Sequence, residues 1–235
     1  MIFGGICAGG QGTRFSSEAR SDIPKQFLLL DGKPVISYSV ETFLQCEEIE
    51  RVFIAVSEEY TEHCEKLFSP YGEKVKIIRG GASRGDTVAL LAEECERNGA
   101  DEGDILVTHD AARPFVTTEA IRRCVQAAKD CGVSGTALPA SDTVLKCENG
   151  FVTAAPKRSE MYLAQTPQCF KIGGFNEVWG RLSEGEKELA TDVCGMFFRA
   201  GVKVKLVEGD KECFKITFAE DLDRAEEMLL KKKAR

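Results

Sequence analysis

Apolar positions along the chain fall into two alternating patterns. Short runs at 3–7, 52–56, 75–78, 105–107 and 136–138 are almost wholly apolar, as strands buried on both faces are. Between them, apolar residues recur at helical spacing. Ile36, Val40, Phe43 and Leu44 share one face, as do Val88, Leu91, Ala92 and Cys95, and then Ile121, Cys124, Val125 and Ala128. This order predicts an α/β fold with a doubly wound, mostly parallel sheet and ligands at the carboxyl ends of its strands. The rhythm breaks after Leu138. Short alternating pieces flank Asn149-Gly150, a strong hairpin signal, so an arm projecting from the sheet at about 140–160 is expected. Beyond it come an extended run at 162–170, helices near 173–182 and 192–200, and strands at 202–207 and 213–217. A last helix carries Leu222, Ala225, Met228 and Leu229 on one face. No repeat, low-complexity stretch or linker is seen, so 1–235 reads as a single domain with one arm.

At 235 residues, 43% hydrophobic and 29% charged, the composition is that of an ordinary globular protein with one sizeable core. A net charge of −7 argues against a nucleic-acid partner, whose binder is usually basic. Lys231-Lys232-Lys233-Ala234-Arg235 reads as a solvated helix end that suits the helix dipole. The ten cysteines are scattered singly, without a Cys-x-x-Cys pair, and His63 and His109 lie far apart, so zinc ligation lacks its spacing. No signal peptide and no span of ~18 apolar residues is present. Free thiols, a reduced cytoplasmic setting and no membrane partner are the expectation.

Candidate chemistry begins where the first strand runs into Ala8-Gly9-Gly10-Gln11-Gly12-Thr13-Arg14, with Pro24-Lys25-Gln26-Phe27 ten residues on. Glycines let successive N–H groups turn inward on phosphate oxygens, and Arg14 and Lys25 supply positive charge for a polyphosphate. A Walker loop would need a lysine where Gln11 and Gly12 stand. A dinucleotide fingerprint would need glycine at Phe15. The plainer alternative is a tight strand-to-helix turn. Strand 105–107 ends in Thr108-His109-Asp110-Ala111-Ala112-Arg113-Pro114-Phe115. Asp110 there faces the ligand crevice and, beside a triphosphate, would hold Mg²⁺; the alternative is a turn cap. His109 reads as structural. Gly80-Gly81-Ala82-Ser83-Arg84-Gly85-Asp86-Thr87 allows close approach to a flat base, or is an ordinary helix start. Gln165-Thr166-Pro167-Gln168 would order a neighbouring active-site loop. Lys215, between Phe214 and Ile216, points to solvent or reaches into a phosphate site.

Together these segments resemble the cytidylyltransferases of the 2-C-methyl-D-erythritol 4-phosphate and ribitol 5-phosphate group. The resemblance covers nearly the whole chain. Besides the motifs already quoted it includes Asp142-Thr143, Thr191-Asp192 and Lys215-Ile216-Thr217-x-x-Glu220-Asp221-Leu222. It implies a Rossmann-like, nucleotide-diphospho-sugar transferase-like fold and transfer of CMP from CTP to a polyol phosphate, with release of pyrophosphate. It also implies that Ala8, Gly9, Gly10, Gly12 and Thr13, with Arg14 and Lys25, hold the CTP triphosphate. Gly81, Ala82 and Thr87 would line the cytosine, Asp110 would meet Mg²⁺, and Lys215 would neutralise the α-phosphate region. Thr143 and Arg158 on the arm, and Thr191, match positions that grip the polyol phosphate. Arm residues of the family reach into the partner subunit, so a homodimer is implied. Met161-Tyr162 and Asp192-Val193-Cys194 lean to the ribitol branch, and Ala111-Ala112 leans to the methylerythritol branch. Ribitol 5-phosphate, giving CDP-ribitol, is the expected substrate, with 2-C-methyl-D-erythritol 4-phosphate of isoprenoid biosynthesis as the alternative. Cys213 stands where Asn is usual in the family.

The implied chemistry is in-line attack by a substrate phosphate oxygen on the α-phosphorus of CTP. That phosphate is already an anion, so no general base is needed. Arg14, Lys25, Lys215 and Mg²⁺ would stabilise the charge electrostatically, and no cysteine serves as nucleophile. An NAD(P)-dependent oxidoreductase would need an acidic residue ending the second strand, where Ser57 stands. A non-catalytic polyol-phosphate binder is countered by the retention of every charged site.

Overall fold

The computed structural model describes residues 1–10 and 23–233. In chain order its strands are β1 (Ile2–Cys7), β2 (Leu29–Leu30), β3 (Lys33–Pro34), β4 (Arg51–Val56), β5 (Val75–Arg79), β6 (Ile105–Asp110), β7 (Val133–Pro139), β8 (Lys146–Glu148), β9 (Phe151–Ala154), β10 (Tyr162–Lys171) and β11 (Lys205–Glu208). Seven of these form one sheet in the order β11-β7-β10-β6-β1-β4-β5. Neighbours run parallel except at β10, which is antiparallel to both β6 and β7. The chain passes from β7 to β10 through the arm, not through a crossover helix. It therefore re-enters the sheet from the end it left, which reverses the strand.

Alternate residues of each apolar strand serve opposite faces. Val52, Ile54 and Val56 join one core with the helices Val35–Leu44, Thr61–Phe68 and Thr118–Cys131. Phe53 and Ala55 join the other with Arg84–Arg97, Ile172–Arg181 and Val193–Arg199. Ile105 and Val107 divide from Leu106 in the same way. Each fully buried side chain of this size stabilises the fold by about 1.5–3 kcal/mol relative to leaving it exposed. A third, smaller cluster of Leu30, Val35, Phe115, Ile216 and Ala225 lies under the final helix, Ala219–Lys233.

The arm is present as expected. β8 and β9 pair antiparallel about Asn149 and Gly150, whose φ values of 50° and 83° suit a two-residue hairpin turn. Every residue of both strands is exposed, Phe151 at 77%. The run at 213–217 differs from expectation, because it joins no sheet. It is an irregular segment with two backbone bonds, from Cys213 N–H to the Asp210 carbonyl at 3.0 Å and from Ile216 N–H to the Ala112 carbonyl at 2.9 Å. Its apolar alternation instead places Ile216 in the small cluster. All ten cysteines are free thiols, and only Cys131 and Cys147 are exposed. No helix among the described residues is long and apolar enough to cross a membrane.

Candidate active site

The carboxyl ends of β1 and β6 open onto a cavity of about 530 Å³. Lys25, Arg84, Arg113 and Lys215 face it, against the carboxylates of Asp110 and Asp192. A surplus of cations in a chain of net charge −7 marks a place for a polyanion.

Asp110, the last residue of β6, is the centre of this charge. Its Oδ1 lies 3.1 Å from Arg84, and its Oδ2 lies 3.0 Å from Lys215 and 3.4 Å from Arg113. Burial opposes ionisation, yet the Arg84, Lys215 and Arg113 charges outweigh it and hold the carboxyl far below the usual carboxylate range. Among the described residues its oxygens bond to side chains, not to the N–H groups of the following turn. Arg84 opens the helix Arg84–Arg97, where the Ser83–Asp86 capping box fixes it. The sequence motif contains Arg84 without assigning it a role. Its partner is remote in the chain, so no local pattern reveals the pair.

His109 is fully buried and structural, as expected. A carbonyl can only accept, so Nε2 donates to the Arg113 oxygen at 3.0 Å, leaving Nδ1 to accept from the Thr166 hydroxyl at 2.9 Å. Burial lowers its pKa to about 4, and the ring is neutral. The Thr166 hydroxyl in turn accepts the Asp110 backbone N–H at 3.1 Å.

Two loops are shaped by their own side chains. Gln26 Nε2 donates to the carbonyls of Ala8 at 2.6 Å and Gly10 at 3.2 Å, which holds the glycine loop beside Lys25. The Thr87 hydroxyl donates to the Ser83 carbonyl at 2.8 Å and accepts the Gly81 N–H at 3.1 Å. A Cβ on Gly81 would overlap Asp86, so glycine here serves the helix cap, and Thr87 holds the loop instead of presenting a free hydroxyl to a base.

Ala8, Gly9, Gly10, Lys25, Gly81, Ala82, Thr87, Asp110, Thr191 and Lys215 all line the cavity. Gly12, Thr13 and Arg14 lie outside the described residues. Thr143 and Arg158 sit on the exposed arm and are not among the lining residues. Arg158 Nη1 donates to the Ser141 carbonyl at 3.4 Å.

The chain matches the family model IspD: 2-C-methyl-D-erythritol 4-phosphate cytidylyltransferase over residues 3–231. Among solved structures it is similar to the 2-C-methyl-D-erythritol 4-phosphate cytidylyltransferase of Thermus thermophilus, at 26% identity and a TM-score of 0.75, covering 98% of this chain and 100% of that one. The Francisella tularensis enzyme of the same description matches at 25% identity and a TM-score of 0.79, covering 95% and 97%. A 4-diphosphocytidyl-2C-methyl-D-erythritol synthase from Anaerococcus prevotii shares the fold at 22% identity and a TM-score of 0.78, covering 98% of each. The expectation of ribitol 5-phosphate finds no support in these matches, and the methylerythritol alternative fits them better. Cavity lining does not separate the two branches: Asp192, from the segment that leaned to ribitol, lines it beside Ala111 and Ala112, which leaned to methylerythritol, while Met161, Tyr162, Val193 and Cys194 do not.

Proposed function

The chain belongs to the IspD family of cytidylyltransferases, and from that membership we propose that it transfers CMP from CTP to 2-C-methyl-D-erythritol 4-phosphate, releasing pyrophosphate. It is a nucleotidyltransferase that uses CTP; the polyol is the proposed part. The observation that carries this proposal is the cationic cavity, with Asp110 gripped by Arg84, Arg113 and Lys215.

Mg²⁺ fits this donor set if phosphate oxygens supply most of its shell. Asp110 Oδ1 has a single cationic partner and keeps acceptor capacity, while the described residues hold no group of three or more His, Cys, Asp or Glu side chains placed as a metal cage. Bound there, the ion would neutralise charge developing on the phosphates. The backbone of 8–10 and Lys25 would hold the triphosphate, with Gly12, Thr13 and Arg14 completing that loop. Lys215 exchanges its Asp110 contact for the α-phosphate region. The 81–83 backbone, braced by Thr87, faces the cytosine. Thr191 takes the polyol phosphate from this chain, and Thr143 and Arg158 take it from the arm of a second copy. That arm has no core of its own and exposes Leu145, Phe151 and Val152, so it suits burial in a homodimer. The attacking phosphate is anionic, and the site's work is to bring two polyanions together in line.

Pyrophosphate release from CTP with 2-C-methyl-D-erythritol 4-phosphate, beside ribitol 5-phosphate, tests the proposal. Turnover of ribitol 5-phosphate alone would move the assignment to that polyol. Turnover of UTP equal to CTP would remove the base assignment.

A further inference from the structure

We infer that Gln165 is a positioning residue for Lys215, acting on the backbone turn that carries the lysine; this rests on the proposed role of Lys215 at the phosphates. Lys215 lies in the irregular segment outside the sheet, so ladder bonds do not fix its height over Asp110. The preceding turn closes on a backbone bond from Cys213 N–H to the Asp210 carbonyl at 3.0 Å, and side chains tie it to the rest of the site. Gln165 Nε2 donates to the Asp210 carbonyl at 2.9 Å and the Cys213 carbonyl at 3.4 Å, while its Oε1 accepts the Asp210 N–H at 3.0 Å. Arg113 Nη1 adds a bond to the Cys213 carbonyl at 3.0 Å.

The carboxamide thus stands in for a neighbouring strand, pairing with both the donor and the acceptor of Asp210. Gln165 is 7% exposed, so these bonds form where water competes poorly. An independent trace of the clamp is Gly209, whose Cβ, if present, would overlap Gln165 Oε1. Glycine leaves the space in which the carboxamide lies.

The local sequence explains why this side chain points there. Pairing between β10 and β7 shifts register between Ala164 and Gln168, and such a bulge re-aims successive side chains. Thr166 then holds the Asp110 backbone, and Gln168 accepts the Val193 N–H at 2.9 Å and donates to Asp192 at 2.7 Å. Of the loops tied to this strand, the Lys215 segment is the one outside the sheet; Asp221 caps its far end through the Thr217 and Phe218 N–H groups at 2.8 and 2.9 Å, and Gln165 holds its near end. Lys215 Nζ lies 3.0 Å from Asp110 Oδ2, two residues beyond the clamped Cys213 carbonyl. A loosened turn therefore moves the ammonium directly.

The test is a double-mutant cycle on pyrophosphate release. Gln165→Ala should lower kcat by about 10- to 100-fold with little change in KM for CTP, the scale of a misplaced supporting group. In a Lys215→Ala background the same substitution should have no further effect, because its route to the reaction is gone. Gly209→Ala, which pushes the carboxamide away, should reproduce the kcat loss and serves if Gln165→Ala does not fold. Hydrogen exchange at the Asp210 amide, whose acceptor is Oε1, should accelerate in either variant. That readout needs no turnover, so inactivity of the unaltered chain toward both polyol phosphates would overturn the function while leaving the clamp tested. An unchanged kcat, an equal loss in both backgrounds, or unchanged Asp210 exchange would overturn the inference.

Discussion

Replacing Asp110 by Asn would remove the negative charge at the centre of the cavity and leave Arg84, Arg113 and Lys215 facing one another. At an effective dielectric of about 20, each contact of 3.0–3.4 Å represents roughly 5 kcal/mol of attraction before desolvation is subtracted. The subtraction is large, since the Asp110 side chain is only 15% exposed. The 39% exposed Lys215 contributes least, because solvent screens it. Breaking one partner of a buried pair costs about 3–5 kcal/mol, and screening here brings the expected loss to about 2–4 kcal/mol. For a chain of this size that is a fall of roughly 4–16 °C in Tm. Three cations freed from their counter-ion should bind metal-free CTP more tightly, and that ligand should recover part of the lost Tm. Turnover should nevertheless fall by about 100- to 1000-fold, as when one preorganised electrostatic group is lost. Thermal melts with and without CTP, and steady-state rates across a Mg²⁺ series, measure all three effects. An unchanged Tm with near-normal turnover at low Mg²⁺ would show Asp110 to be a turn residue.

The arm gives a second test: Arg158→Lys should raise KM for the polyol phosphate far more than for CTP, because lysine cannot reproduce a bidentate guanidinium clamp. Mixing Arg158→Ala with Lys25→Ala should restore activity through one intact hybrid site, and full activity in a protein that stays monomeric would exclude the shared arrangement. At Glu94, burial raises the pKa, but bonds from Lys76, Arg97 and Asn98 more than offset it and the folded value is lowered. Its stabilisation is therefore present above the ordinary Glu value of about 4.3 and is lost as pH falls through the depressed folded value. Glu94→Gln should cost about 1–2 kcal/mol at pH 7, allowing for the exposed Lys76 and Arg97, with the gap to the unaltered chain closing at acid pH; a gap constant down to acid unfolding would contradict this. A thiol reagent should find Cys131 and Cys147 quickly in the folded protein and the buried thiols only on unfolding, and rapid reaction of all ten would contradict the packing.

Much of the fold is legible because strands buried on both faces must be apolar throughout while helices repeat at 3.6 residues. The hairpin is legible because Asn149 and Gly150 both take positive φ, which few other pairs tolerate. The helix Thr61–Phe68 escapes, since it buries only Cys64 and Phe68 and shows no sustained period. The tight β2–β3 turn at Asp31-Gly32 carries an Asp-Gly signal, but its strands of two residues each are too short to show alternation. The segment around Lys215 imitates a strand because Phe214 and Ile216 alternate with polar residues, yet its ties to the rest of the chain are the single Ile216–Ala112 backbone bond and side chains such as Gln165 and Arg113, and side-chain neighbours leave no mark in local periodicity. The same limit hides the Arg84–Asp110 pair. Individual motifs mark where chemistry gathers, whereas the contacts between motifs belong to the sheet order.

Transfer of CMP from CTP to 2-C-methyl-D-erythritol 4-phosphate, as proposed, leaves a diphosphate ester and free pyrophosphate. Phosphorus NMR of the purified protein with CTP, Mg²⁺ and either polyol phosphate tests it most directly, because product diphosphate and pyrophosphate are seen together. A new cytidine diphosphate ester and equimolar pyrophosphate are expected with 2-C-methyl-D-erythritol 4-phosphate, far faster than with ribitol 5-phosphate. Efficient conversion of ribitol 5-phosphate alone, or no ester with either, would contradict the proposed transfer.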